Sequence, residues 1–185
     1  MTSIHPLSDV RSVHIGEDTI IWQFAVVLAG AVIGDNCNIN CHTFIENDVR
    51  LGNNVTLKSG VYLWDGITIG DDVFIGPNVT FTNDKYPRSK QRPESFQRTT
   101  LEKGCSIGAD ATILGGVTIG SYAIIGAGTL VTRNAPPHAL FYGHPGEVKG
   151  WVDNSGRKLK AISADRFEDE DGKIWLLTGQ RIQPL

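Results

Sequence analysis

The residues best suited to chemistry lie in one polar stretch, FTNDKYPRSK at residues 81–90. Asn83 and Asp84 can accept a hydrogen bond, and Asp84 can also hold an ammonium group or take up a proton. Because a carboxylate exposed to water is a weak base at neutral pH, two roles for Asp84 stay open, proton acceptor and cap of a turn. Basic and aromatic side chains favour a ligand that carries phosphate groups and a ring. The candidate ligand-binding residues here are Tyr86, Arg88, Ser89 and Lys90.

This stretch interrupts a repeat of six residues that otherwise runs from residue 15 to residue 136. All 18 hexads open with Ile, Leu, Val or Phe, and the fifth position is small or β-branched in every hexad but one. A helix needs apolar residues about every 3.6 positions and a simple strand every second position, so period six fits neither. It predicts short strands that coil into a solenoid, with the first and fifth positions stacked inward. Gly, Asn and Asp between them tolerate the positive φ of sharp corners.

The interruption predicts a loop. From Phe81 to Leu101 the chain advances 20 residues where a multiple of six is expected, so residues 83–100 are predicted to leave the coil. A long loop without structure of its own is usually functional or disordered. Pro87 and Pro93 stiffen this loop and favour a role in binding. The alternative that it is only a solvent-exposed loop stays open.

The hexads resemble those of the hexapeptide-repeat acyltransferases over residues 9–150. The resemblance implies an all-β fold in residues 1–150, a left-handed parallel β-helix of about six coils with one long loop. The stretch LWDGITIGDDVFIGPNVTFTNDKYPRSKQ is similar to the branch that acetylates amino sugars linked to nucleotides, most closely dTDP-3-amino-3,6-dideoxyhexoses. A branch acting on UDP-linked 3-amino uronic acids has Asn-Val-Tyr-Asn-Pro-Arg in place of NDKYPR, which favours the dTDP branch.

The resemblance implies an enzyme that moves an acetyl group from acetyl-CoA to a sugar amine, for surface polysaccharide synthesis in the cytoplasm. It implies a homotrimer with active sites between subunits. In the sugar branch the matching asparagine orients the amine through its side-chain carbonyl, a role that carries over to Asn83. The proton then passes to Asp84 or directly to the departing sulfur. Two other functions stay open: acetylation of a UDP-linked sugar or another small acceptor, and a non-catalytic β-helix scaffold.

Further candidate residues lie at the corners of the coils. Trp64 and Asp65 occupy a corner where Gly or a small residue is usual, so Trp64 is expected to point outward against a nucleotide or a neighbouring subunit. His42 stands at a fourth position and is expected to face outward, either in a cleft between subunits or as a plain surface residue. The stretch ILGGVTIGSYAIIGAGTLVTRNAPPHALFYGHPGEVKGW resembles the family's last coils and its coenzyme A-binding turn, which usually has Gly-Asn-Pro-Ala. The resemblance implies that coenzyme A lies in the groove between two β-helices near these coils. The candidates for its binding are Gly116, Ala127, Arg133, His144, Pro145 and Lys149.

Composition excludes several classes of protein. A net charge of −3 gives no reason to expect nucleic acid or an anionic membrane as partner. No apolar run approaches the roughly 18 residues that span a bilayer, and the N-terminus does not resemble a signal peptide. A zinc enzyme of the carbonic anhydrase type needs three converging histidines, and the coils hold one, so no metal is predicted. Cys37 and Cys105 are expected to be buried and Cys41 to face outward.

The repeat ends near residue 150. In residues 151–185 the segments VDNSGRKL and WLLTGQRI resemble each other and the two halves of a small zinc-ribbon-like tail. The resemblance puts four residues where cysteines would stand, so it implies a degenerate β-hairpin without metal; an unrelated hairpin stays open. The four residues are Val152, Ser155, Trp175 and Thr178.

Overall fold

The computed structural model describes all 185 residues, and its regular elements are all β-strands. Most have two residues, because each hexad supplies one short strand and one turn. The turns place positive φ at the fourth hexad position, as at Asn36, Asn54 and Asp72, residue types that tolerate this conformation. The strands of the coils are β1 (Ser3–Ile4), β2 (Asp9–Val10), β3 (Ile20–Ile21), β4 (Val26–Val27), β5 (Val32–Ile33), β6 (Asn38–Ile39), β7 (Phe44–Ile45), β8 (Arg50–Leu51), β9 (Thr56–Leu57), β10 (Tyr62–Leu63), β11 (Ile67–Ile69), β12 (Phe74–Ile75), β13 (Thr80–Phe81), β14 (Thr99–Leu101), β15 (Ser106–Ile107), β16 (Thr112–Ile113), β17 (Thr118–Ile119), β18 (Ile124–Ile125) and β19 (Leu130–Val131).

Strands one coil apart pair in parallel, as Ile20 does with Asn38 and Asn38 with Thr56. Three sheets result, and they form the faces of a prism. The first face has the order β1-β3-β6-β9-β12-β15-β18, the second β19-β16-β13-β10-β7-β4-β2, and the third β17-β14-β11-β8-β5. The predicted parallel solenoid is therefore confirmed.

Aliphatic side chains from all three faces fill the inside of the prism. Cys37 and Cys105 are buried in this core, as the hexad positions predict. Cys41, which was predicted to face outward, is half-buried, and its Sγ lies 3.2 Å from Ser59 Oγ. Burial raises the pKa of the Cys37 thiol and raises that of Cys105 to about 12, so neither is a reactive nucleophile at neutral pH.

The long loop ends at residue 98, two residues earlier than predicted. Gln97 N–H donates to the carbonyl of Asn83 at 2.9 Å and closes the neck of the loop. Thr99 and Thr100, which the prediction placed in the loop, belong to β14 and pair with β11. The sequence hides this return to the coil, because two threonines before Leu101 do not match the start of a hexad.

The C-terminal end caps the solenoid. Strands β20 (Ala139–Gly143) and β21 (Gly146–Trp151) form an antiparallel hairpin on the first face. A separate antiparallel sheet follows, with β22 (Lys160–Ala161), β23 (Arg166–Glu168), β24 (Ile174–Thr178) and β25 (Arg181–Pro184). This sheet has four strands, so the predicted single hairpin was incomplete. No helix in the chain has the length and apolar character needed to cross a membrane.

Candidate functional site

The candidate site lies along the edge where the second face meets the third. The long loop leaves the solenoid here, between β13 and β14. Trp64 and Asp65 turn the same edge in the preceding coil, and Gly115 and Gly116 turn it in the following one. The repeat thus brings Asn83 between two other predicted regions of the site.

Asn83 is held by its own amide group. Its Nδ2 donates to the carbonyl of Asp65 at 3.0 Å, and its side chain is half-buried. Its φ is not positive, so a left-handed backbone conformation does not explain why an asparagine stands at this corner. With Nδ2 engaged, the side-chain Oδ1 has no partner in the chain and is available to accept a hydrogen bond from a ligand.

Asp84 shapes the start of the loop. Its Oδ1 accepts the backbone N–H of Tyr86 at 2.9 Å, the geometry of an Asx turn. The turn-capping role that the sequence left open is therefore present, and the second carboxylate oxygen has no partner in the chain.

Trp64 and Asp65 support the base of the loop. Trp64 Nε1 donates to the carbonyl of Phe81 at 2.9 Å, and its half-buried ring packs against Phe44 and Tyr62. Asp65 Oδ1 accepts the N–H of Asp48 at 2.7 Å. Both side chains thus hold neighbouring backbone, which leaves only part of each for a ligand.

The outer loop forms a small turn of its own. Arg88 and Gln91 make an antiparallel bridge, and Lys90 takes a φ of 62° between them. Tyr86, Arg88, Ser89 and Lys90 are all exposed, and none of them lines the main groove of this chain. Their predicted role in substrate binding stays a prediction.

His42 lies at another edge, where the first face meets the second. It is exposed, as predicted, and stacks on Phe24 with ring centroids 5.2 Å apart. Together with Phe44, Tyr62 and Trp64, these rings surround a shallow cavity of ≈ 340 Å³. We call these five residues the aromatic face. His42 and Asn83 stand at opposite edges of the second face, so the aromatic face lies between them in one chain.

A groove of ≈ 850 Å³ runs from the loop to the C-terminal hairpin. It contains Gly116 and Arg133, two of the six predicted coenzyme A residues. Arg133 lies 3.8 Å from Glu147, and Lys149 at 2.9 Å from the same carboxylate lowers the Glu147 pKa. The groove is lined by Thr82, Lys85, Gln97, Leu114, Gly115, Gly116, Val117, Thr132, Arg133, Asn134, Pro136, Phe141, Glu147, Val148 and Gln180.

The other four predicted coenzyme A residues do not line this groove of the single chain, and their role at a site between two subunits stays a prediction. Ala127 turns the edge between the first and second faces, away from Gly116. His144 and Pro145 form the exposed turn of the β20–β21 hairpin. Lys149 borders a different cavity, beside Lys158 and Phe167.

Sequence reasoning missed several groove residues, above all Thr82 and Gln97. Gly115 N–H donates to Thr82 Oγ1 at 3.1 Å, and Gly116 N–H donates to Thr99 Oγ1 at 3.2 Å. The glycine doublet in ILGGVT is a usable signal, since two small residues at one corner leave room above it. Nothing in the sequence pairs that doublet with Gln97.

Comparisons with known proteins agree with this fold. The family described as bacterial transferase hexapeptide (six repeats) matches residues 12–47, 48–83 and 98–133. The dTDP-3-amino-3,6-dideoxy-alpha-D-galactopyranose 3-N-acetyltransferase of Aneurinibacillus thermoaerophilus is 57% identical over 159 residues, which cover 86% of this chain and 83% of that protein. In fold, the chain is similar to UDP-N-acetylglucosamine acyltransferase from Bacteroides fragilis, with a TM-score of 0.68 and 20% identity over 81% of this chain and 61% of that one.

The fold is therefore the left-handed parallel β-helix found in acyltransferases, as predicted. The chain belongs to the bacterial hexapeptide transferase family.

Proposed function

We propose that this protein is an enzyme that transfers the acetyl group of acetyl-CoA to the amino group of a nucleotide-linked amino sugar. The first candidate acceptor is dTDP-3-amino-3,6-dideoxygalactose, the sugar nucleotide in the name of the relative that is 57% identical. The observation that carries the proposal is the fixed amide of Asn83 beside the ≈ 850 Å³ groove. Acetyl-CoA turnover with this acceptor tests it.

In the proposed reaction Asn83 positions the nucleophile. Its Oδ1 accepts one N–H of the neutral sugar amine and turns the nitrogen lone pair toward the thioester carbonyl, so that the reacting atoms are held in line. The nitrogen attacks the carbonyl carbon, the C–S bond then breaks, and the amine proton passes to the departing sulfur. Asp84 holds the first turn of the loop through Tyr86 N–H and needs to accept no proton.

The groove is proposed to hold coenzyme A. Its basic residues, Lys85 and Arg133, suit the phosphate groups. Gly115 and Gly116 carry no side chain into the groove, which leaves room for an extended chain beside the Gln97 side chain. Arg133 is available because its contact with Glu147 is long, 3.8 Å, while Lys149 holds that carboxylate at 2.9 Å.

Replacing Arg133 by alanine is expected to raise KM for acetyl-CoA about 5- to 20-fold and to leave kcat nearly unchanged. A phosphate contact far from the reacting atoms stabilises ground state and transition state alike, and an exposed ion pair is of modest strength. Initial rates at varied acetyl-CoA measure the effect. Arg157→Ala, which removes an exposed arginine paired with Glu170, is the control. An unchanged KM would remove Arg133 from the coenzyme A site.

We also propose a homotrimer with its active sites between subunits. The aromatic face supports it: Phe24 and Tyr62 are 50% and 48% exposed, and a continuous apolar patch of this kind commonly marks an interface. A neighbouring subunit there would cover the cavity that His42 and Trp64 line and turn it into a cleft between subunits. Sedimentation equilibrium of the purified protein should give three times the mass of one chain, and a monomer at micromolar concentration would contradict the assembly.

We further propose that the enzyme works in the cytoplasm in surface polysaccharide synthesis, because acetyl-CoA and nucleotide sugars are both cytoplasmic metabolites. Three free cysteines agree with a reducing compartment. Deletion of the gene should remove the N-acetylated amino sugar from the surface polysaccharide, and an unchanged sugar composition would count against this role.

Residues 151–185 are proposed to be a small extension without metal, attached to a catalytic domain of residues 1–150. Two residues at the former cysteine positions, Val152 and Trp175, are buried, whereas Ser155 and Thr178 are exposed. None of the four side chains is a thiolate or an imidazole, the ligands that structural zinc requires. Metal analysis that found one zinc per chain would overturn this proposal.

A further inference from the structure

Gln97 is a polar residue at the end of the long loop that the mechanism above does not use. Its N–H donates to the Asn83 carbonyl at 2.9 Å, and two residues later Thr99 N–H donates to the Gly66 carbonyl at 3.1 Å. The Gln97 carbonyl packs so closely on Gly66 that a Cβ at Gly66 would lie 2.8 Å from it. The backbone of Gln97 is therefore fixed directly beside Asn83.

The side chain of Gln97 extends over the glycine corner of the groove. A Cβ at Gly115 would lie 2.8 Å from Gln97 Oε1, and a Cβ at Gly116 would lie 3.1 Å from Gln97 Nε2. The side chain is half-buried and lines the groove. Its amide makes no hydrogen bond within the chain, so its N–H groups are left to donate to a ligand.

The proposed reaction needs such a donor, because attack on the thioester turns its carbonyl oxygen into an oxyanion. The backbone N–H groups of Gly115 and Gly116 are the obvious candidates at this corner. Both already donate, to Thr82 Oγ1 and to Thr99 Oγ1. The Gln97 side-chain amide lies over this corner, and its N–H groups have no partner within the chain.

We infer that Gln97 is a catalytic residue whose Nε2–H donates to the thioester carbonyl oxygen of acetyl-CoA. This inference rests on the proposed function. As the amine nitrogen bonds to the carbonyl carbon, the π pair moves onto the oxygen and is stabilised by Nε2–H. When the C–S bond breaks, that pair restores the carbonyl and the sulfur takes the amine proton. Asn83 orients the nucleophile and Gln97 stabilises the charge that its attack creates.

Kinetics of Gln97→Ala and Gln97→Glu test the assignment. Glutamate keeps the size of the side chain and removes the N–H donor. Both variants are expected to lose about 10²- to 10³-fold in kcat, with KM for acetyl-CoA within about threefold of the wild type. Gln91→Ala, an exposed glutamine of the same loop, is the matched control and should keep full activity. A kcat within threefold of the wild type in both Gln97 variants would overturn the assignment.

A vibrational measurement separates this inference from the proposed function, because it needs no acceptor. The C=O stretch of carbonyl-¹³C acetyl-CoA is recorded in solution and bound to each protein. We expect the frequency to be lower for acetyl-CoA bound to the wild type or to Gln91→Ala than for acetyl-CoA in solution. Bound to Gln97→Ala or Gln97→Glu, acetyl-CoA should show no such shift. The same shift in all four proteins, or no shift in the wild type, would reject Gln97 as the donor. A Gln97-dependent shift without turnover of any amino sugar would keep the donor and reject the proposed acceptor.

Discussion

Replacing Asn83 by alanine is expected to lower kcat/KM for the amino-sugar nucleotide about 100-fold or more. Alanine removes the Oδ1 that accepts the amine N–H, and a nucleophile that is no longer held in line loses about this much. KM for acetyl-CoA should stay within about threefold of the wild type, since the groove is untouched. Thermal unfolding checks that the fold survives the loss of the 3.0 Å bond to Asp65.

The Asp84→Asn variant tests whether the neighbouring carboxylate acts as the proton acceptor, a role that Asn83→Ala does not examine. Asparagine keeps an acceptor for Tyr86 N–H and so keeps the turn, while it removes the carboxylate. We expect kcat to fall less than about fivefold. A fall of 100-fold, together with loss of the acidic limb of the pH profile, would make Asp84 the general base and contradict direct transfer of the proton to sulfur.

Replacing Gly108 by alanine is expected to destabilise the protein by about 3 kcal/mol or more. Gly108 opens a corner of the solenoid, where a Cβ would lie 2.4 Å from the backbone N of Ala127 in the next coil. Backbone cannot rotate away as a side chain can, so adjacent coils must separate. Thermal unfolding at matched protein concentration should show a Tm lower by roughly 6–12 °C.

Gly128→Ala is the matched control for this effect. Gly128 has a φ of +66°, but apart from its chain neighbours no atom lies within 4 Å of the position that a Cβ would take. Alanine there bears only the conformational cost of about 1–2 kcal/mol. Gly108→Ala should therefore unfold at the lower temperature, and the reverse order would show that the coils are not packed at the contact distance described.

The architecture could be predicted because it depends on a period. The pattern places an aliphatic residue at every sixth position and Asn, Asp or Gly before the next strand. Few folds other than a stack of short strands are compatible with it. The same period placed Cys37 and Cys105 inside and His42 outside. The left hand of the coil came only from family resemblance, since spacing is identical for both hands.

The site could be predicted only where it breaks the period. Asn83 was found because the repeat stops there, whereas Gln97 lies in the irregular part of the loop and carries no pattern. Residues on one edge recur every 18 positions, so Ala127, 11 residues from Gly116, lies on a different edge of the same chain, and its predicted role at a groove between two β-helices stays a prediction. Phe141 lines the groove from β20 and Gln180 from the turn between β24 and β25, and the packing of this C-terminal part against the coils cannot be counted along the sequence.

The most direct test of the central proposal is thiol release from acetyl-CoA by the purified protein with dTDP-3-amino-3,6-dideoxygalactose. The gluco epimer and a UDP-linked 3-amino sugar are assayed in parallel. We predict release that depends on the acceptor and is fastest with the dTDP-linked galacto sugar. Faster release with the UDP-linked sugar would move the enzyme to that acceptor class, and no release with any of the three would contradict the assignment as an amino-sugar N-acetyltransferase.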